Sequence, residues 1–128
     1  MDNQPIGPDY RVSFRFKPTG DPGETGNWGK IEGNQIVYTK ALVGNEHLFF
    51  RTIQGFSNRA EDYDVIIENQ KTGAGVRITS DHPISKFVFW SAPKTICPEP
   101  YIHLKIEPGQ TITWKIMYEF YALDAILK

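Results

Sequence analysis

Residues 10–17 alternate without a break, with Tyr10, Val12, Phe14 and Phe16 apolar and Arg11, Ser13, Arg15 and Lys17 polar. Successive side chains of a strand point to opposite faces, so a period of two predicts a half-buried strand. Strand-like runs recur at residues 35–39, 63–68, 75–79, 84–90, 101–106 and 111–121. No stripe with the helical period of 3.6 reaches a useful length, and only residues 122–128 suit a helical turn. Aromatic residues at 13% favour a pleated sheet, and nine prolines with eleven glycines punctuate it. The expected fold is an all-β sandwich of about eight mainly antiparallel strands, in one domain over residues 1–128.

The connections carry their own signals. Residues 18–27, rich in glycine and proline, cannot build a regular element and predict a long, flexible surface loop extending to about residue 29. Gly44-Asn45 interrupts an apolar stretch and predicts a turn, with a strand or short helical turn at Leu48-Phe49-Phe50. Residues 69–73 turn the chain between two strands of a hairpin, and Pro108-Gly109 turns it again. The run at 84–90 is expected to be a central strand. In the last strand Ile112, Trp114, Ile116, Tyr118 and Phe120 share one face and Met117 and Tyr121 the other, so both faces are expected to be partly covered.

Composition removes several classes of function. Hydrophobic content of 40% and charged content of 23% are ordinary for a soluble domain, and 128 residues suffice for a real core. A net charge of −1 without a basic cluster gives no footprint for nucleic acid or an anionic membrane. No apolar run approaches the roughly 20 residues of a membrane helix. The start, Met1-Asp2-Asn3-Gln4-Pro5, lacks the basic end and apolar core of a signal peptide. A lone Cys97 excludes an internal disulfide and a multi-cysteine metal site and fits a reducing compartment, so a cytoplasmic protein is expected.

The candidate site is Ile96-Cys97-Pro98-Glu99-Pro100-Tyr101, which sets one carboxylate between two prolines after the apolar run Phe87-Val88-Phe89-Trp90. Proline fixes φ and removes a donor, so Glu99 is expected on a stiff, non-helical connection. A rigidly aimed carboxylate near Trp90 and Tyr101 suits sugar binding or proton transfer, and the same segment also fits an ordinary proline-rich connection. The rest of the chain offers less. His47, His82 and His103 have no metal-ligand spacing, and His103 is expected to face solvent from its strand. Gly73-Ala74-Gly75 is too short for a phosphate loop, and no serine has a nucleophile-elbow context. Cys97, with no cation or histidine close in sequence, is expected to be a buried structural thiol. Trp114 is expected in the core and Trp28 in the loop, leaving Trp90 to reach a cleft. No cofactor and no metal are called for.

The run Lys86-Phe87-Val88-Phe89-Trp90-Ser91, Ile96-Cys97-Pro98-Glu99-Pro100-Tyr101, Glu107-Pro108-Gly109-Gln110, Trp114 and Tyr118-Glu119-Phe120-Tyr121 resembles the C-terminal half of the aldose 1-epimerase (galactose mutarotase-like) family. Residues 62–79 look like the hairpin that precedes it, and the resemblance extends from about Asp9 to Tyr121. It implies part of a supersandwich and a carbohydrate-active domain acting on or binding an aldose. Glu99 matches the family's base, which takes the proton of the anomeric hydroxyl while a histidine protonates the ring oxygen. The chain departs from the family in having no His-Pro-aromatic motif and no aspartate in residues 48–56. The expectation is therefore a truncated or half-length form whose acid comes from elsewhere, such as a second chain joined through exposed strand edges. A non-catalytic carbohydrate-binding module using Trp90, Glu99 and Tyr101, and a structural or interaction domain, are the alternatives.

Overall fold

A computed structural model describes residues 5–23 and 28–122 of the chain. Nine strands follow in order: β1 (Tyr10–Phe14), β2 (Gly29–Glu32), β3 (Gln35–Tyr38), β4 (Leu48–Phe50), β5 (Asp64–Asn69), β6 (Ala74–Ser80), β7 (Lys86–Ala92), β8 (Thr95–Tyr101) and β9 (Ile116–Ala122). One 3₁₀ turn, Ala60–Asp62, is the sole helical element among the described residues. The strands form a six-stranded sheet in the order β2-β3-β1-β5-β6-β9 and a three-stranded sheet in the order β4-β7-β8, with every pairing antiparallel. The expected all-β sandwich is the fold.

The alternation in β1 sets the inner face of the large sheet: Tyr10, Val12 and Phe14 are buried and pair across to Asn69, Ile67 and Val65 of β5. From the small sheet, Leu48, Phe50, Phe87 and Phe89 meet them with no exposed surface. Phe14 and Phe87 touch edge-to-face across the sandwich, ring centroids 5.4 Å apart. The core is not wholly apolar. The Tyr38 hydroxyl donates to Ser91 Oγ at 2.8 Å, and Ser91 Oγ donates to the Thr95 carbonyl at 2.8 Å. That chain bridges the sheets, and among the described residues no buried side-chain nitrogen or oxygen lacks a partner.

The described part of the expected loop, residues 18–23 and 28, holds no regular element, as expected, and both of its described ends are anchored. Pro18 is buried, and Thr19 and Gln54 exchange backbone hydrogen bonds at 2.9 Å each, so the loop leaves the sandwich pinned. The crossing needs Gly55, whose φ is +113° and whose absent Cβ would strike the Lys17 carbonyl. At the far end β2 begins at Gly29, and Trp28 packs against the core with the Lys40 ammonium 4.8 Å from its ring centre. Residues 24–27 lie outside the described residues, as do residues 123–128, which include most of the expected helical turn.

Three further expectations are corrected. The Pro98-Glu99-Pro100 segment is not a connection: it lies within β8, paired with β7 from Thr95 to Tyr101. Proline is tolerated there because β8 is an edge, and both prolines fall on the same parity of the ladder. The strand expected at 101–106 stops at Tyr101, where Ser85 N–H and Ser85 Oγ both donate to the Tyr101 carbonyl and hold the exit. The last strand is shorter than its alternation suggests and starts at Ile116, because Asp81 captures Lys115 just before it. Gly109, at φ +82°, makes the expected turn, closed by Gln110 N–H donating to Glu107 O.

The two sheets differ in width, and this leaves β9 uncovered. The three-stranded sheet packs toward the β2–β3–β1 end of the six-stranded one, with Leu48 against Gly29, Ser91 on Tyr38 and Phe87 on Phe14. The inner-face residues Ile116, Tyr118 and Phe120 at the other end therefore stay exposed at 40%, 57% and 80%. Trp114, expected in the core, is 46% exposed, and Met117 on the other face of β9 is 57% exposed. No described helix is long and apolar enough to cross a membrane.

Candidate functional site

The outer face of the small sheet gathers the residues singled out from sequence. Inward-facing Phe87, Phe89 and Ser91 alternate along β7 with Lys86, Val88 and Trp90, which point to solvent. Three ladder rows follow: Phe49-Trp90-Cys97, Val88-Glu99 and Lys86-Tyr101. Trp90, 37% exposed, and Glu99 thus occupy diagonal positions, about 7–8 Å apart by sheet geometry. Tyr101, 47% exposed, follows Glu99 on the same face of the same strand.

Charge lines both ends of this face. The Lys86 ammonium sits 5.5 Å from the Tyr101 ring centre, and the Arg51 guanidinium 5.8 Å from that of Phe49. Glu99 is exposed and, among the described residues, its carboxylate has neither a hydrogen-bond nor an ion-pair partner. Its position is fixed by the strand rather than by polar neighbours, since Pro98 and Pro100 restrict the backbone on either side and β7 pairs along its length. An exposed aromatic pair beside a carboxylate free to accept hydrogen bonds can stack on the C–H face of a sugar and hold one of its hydroxyls.

The histidines do not complete an acid–base pair with Glu99. His47 Nδ1 lies 3.4 Å from the Asn45 carbonyl, His82 Nδ1 is 2.7 Å from Asp81 Oδ1, and His103 is exposed beyond the end of β8. Cys97 departs from the buried thiol expected: it is half-buried on the outer face opposite Trp90, its Sγ 3.4 Å from Thr95 Oγ1. Among the described residues no group of three or more histidine, cysteine or acidic side chains is placed to hold a metal.

A groove of about 490 Å³ lies elsewhere, on the overhang of the large sheet. Ile67, Val76 and Phe120 form one wall, and Pro93, Thr95 and Ile96 at the β7–β8 turn form the other. Trp90, Glu99 and Tyr101 do not line it. Alternation marked its residues as apolar, but the groove arises from the unequal sheet widths, which no local pattern carries. Two charged networks brace the outside of the large sheet. Arg77 forks onto buried Asp64 at 2.9 and 2.7 Å, and the Tyr121 hydroxyl donates to Glu68 at 2.7 Å across Gly75. No protein-family model, no curated protein and no solved structure matches the chain.

Proposed function

We propose that the outer face of the small sheet binds an aldose and that Glu99 takes the proton of its anomeric hydroxyl, an aldose 1-epimerase type of reaction. One observation carries the reading: Trp90, Glu99 and Tyr101, chosen from sequence, share one solvent-facing sheet face. In the proposed step the sugar stacks on Trp90 with its O1 hydroxyl toward Glu99. Glu99 accepts the O1 proton, the C1–O5 bond breaks, and O5 takes a proton as the open-chain aldehyde forms. After rotation about C1–C2, O5 attacks the opposite face of C1 and gives its proton back to the water or group that supplied it, while Glu99 returns its proton to O1, and the other anomer results. No histidine is hydrogen-bonded to Glu99, so the proton for O5 comes from water or from another chain. The free thiol of Cys97 suits a reducing, cytoplasmic setting for this chemistry.

The openness of the face and the unpartnered carboxylate favour a second reading, in which the same residues bind a carbohydrate without turning it over. Polarimetry on freshly dissolved α-D-glucose or α-D-galactose separates the two. The catalytic reading expects mutarotation faster than in buffer, with Glu99→Gln removing a factor of about 10²–10⁴. Quenching of tryptophan fluorescence by sugar without acceleration leaves the binding module alone. Neither acceleration nor quenching removes both.

A further inference from the structure

We propose that β9 is a self-pairing edge, through which two copies of the chain join their six-stranded sheets about a two-fold axis at Tyr118. This rests on the edges themselves and not on the sugar-binding reading. An exposed edge presents unpaired N–H and C=O groups, and proteins blunt such edges with prolines, charges or short length. Three of the four edges here are blunted. β8 carries Pro98, Glu99 and Pro100, β2 carries Lys30 and Glu32 in four residues, and β4 has only three residues. β9 has seven residues, no proline and one charge, Glu119, and among the described residues nothing pairs with its free side.

The register follows from the ladder and the charge. The β6–β9 register extends to Asp81 opposite Lys115, where Asp81 N–H donates to the Lys115 carbonyl. Hydrogen-bonded residues alternate along an antiparallel pair. By that parity Ile116, Tyr118 and Phe120 direct their N–H and C=O groups away from β6, toward an incoming strand. A second β9 running antiparallel pairs through these residues when the axis passes through either Tyr118 or Glu119. The Glu119 axis sets two carboxylates directly opposite each other, which is unfavourable. The Tyr118 axis sets Ile116 against Phe120 of the partner subunit and Met117 against Glu119 of the partner subunit, with the carboxylates apart.

The exposed surface along β9 is apolar. Trp114, Ile116, Met117, Tyr118 and Phe120 together expose on the order of 500 Å² of side chain, given the size of aromatic residues. That falls short of the roughly 800 Å² per partner of a standard stable complex, and the new ladder adds main-chain hydrogen bonds to it. The association expected is a dimer that forms with a Kd of about 1–100 μM. It sets Ile116 of the partner subunit beside Phe120, which walls the open groove.

Sedimentation equilibrium of the full chain tests this. The expected result is a concentration-dependent monomer–dimer transition, weakened at least tenfold by Phe120→Lys, whose side chain is 80% exposed and contributes little to the monomer. A monomer at every concentration, or a dimer indifferent to Phe120→Lys, overturns the proposal; the first result would leave the edge to another segment of the same chain. Register is read separately in a Cys97→Ser background under mild oxidation. A mixture of Met117→Cys and Glu119→Cys chains should cross-link while neither does alone. Cross-linking of Glu119→Cys by itself would refute the Tyr118 axis.

Discussion

At the residue scale, Ser91 is the most exacting position in the core. Its hydroxyl accepts from Tyr38 on one sheet and donates to Thr95 at the end of the other, with no exposed surface. Ser91→Ala strands a phenol hydroxyl and a carbonyl together, and urea unfolding should show a loss of about 1–3 kcal/mol. Tyr38→Phe leaves a serine that still donates to Thr95, so its cost should be smaller. Two ionisable groups show how stability depends on pH in opposite directions. Burial, reinforced by the bond to Glu68, pushes the Tyr121 hydroxyl up to about 12 from 10.0. A raised value means the fold favours the neutral phenol, so its contribution is complete below pH 10.0 and disappears as pH rises through about 12. Tyr121→Phe should flatten that alkaline loss in thermal melts. Asp81 works in the other direction, since the Lys115 backbone N–H and then His82 hold its carboxyl below its ordinary value of 3.8. Its contribution is present above that value and is lost as pH falls through the lowered one, and Asp81→Asn should remove that part of the acid dependence.

At the element scale, strand pairing follows from what each edge permits. Tyr121 lies over Gly75, where a Cβ would come within 2.5 Å of its ring, so the missing side chain is what lets β9 lie flat on β6 and reach Glu68 on β5. Gly75→Val should displace that ring and speed amide hydrogen exchange along Ile116–Ala122 before it affects β1 or β7. The contrast between β8 and β9 shows what sequence can carry. Alternation in residues 10–17 gave the inner face of β1, and hairpin signals at residues 69–73 gave β5 and β6, because both are local. Pro98 and Pro100 suggested a connection because proline is rare inside sheets; only the long-range fact that β8 is an edge admits them. β2 was hidden by its neighbourhood, four residues beside a glycine-rich loop with just Ile31 as an apolar signal.

At the scale of the whole molecule, one asymmetry stands out: a sheet of six strands faces a sheet of three. It leaves β9 bare at the far side of the large sheet, while the outer face of the small sheet is an open platform. Trp90, Glu99 and Tyr101 were singled out by residue type and closeness in sequence, and the β7–β8 pairing that puts them on one face was not legible, because the prolines read as a connection. Trp114 was misread because the pattern says which residues share a face and not whether a second sheet covers it. The proposed sugar site is the place where those three residues converge. Nitrogen–proton correlation spectra of the labelled chain, recorded while D-glucose or D-galactose is added, test it most directly. The expected result is saturable shifts confined to the backbone of Phe49, Val88, Trp90, Cys97, Glu99 and Tyr101 and to the indole N–H of Trp90. Shifts centred instead on Ile67, Val76 and Phe120, or no shifts at millimolar sugar, would contradict it.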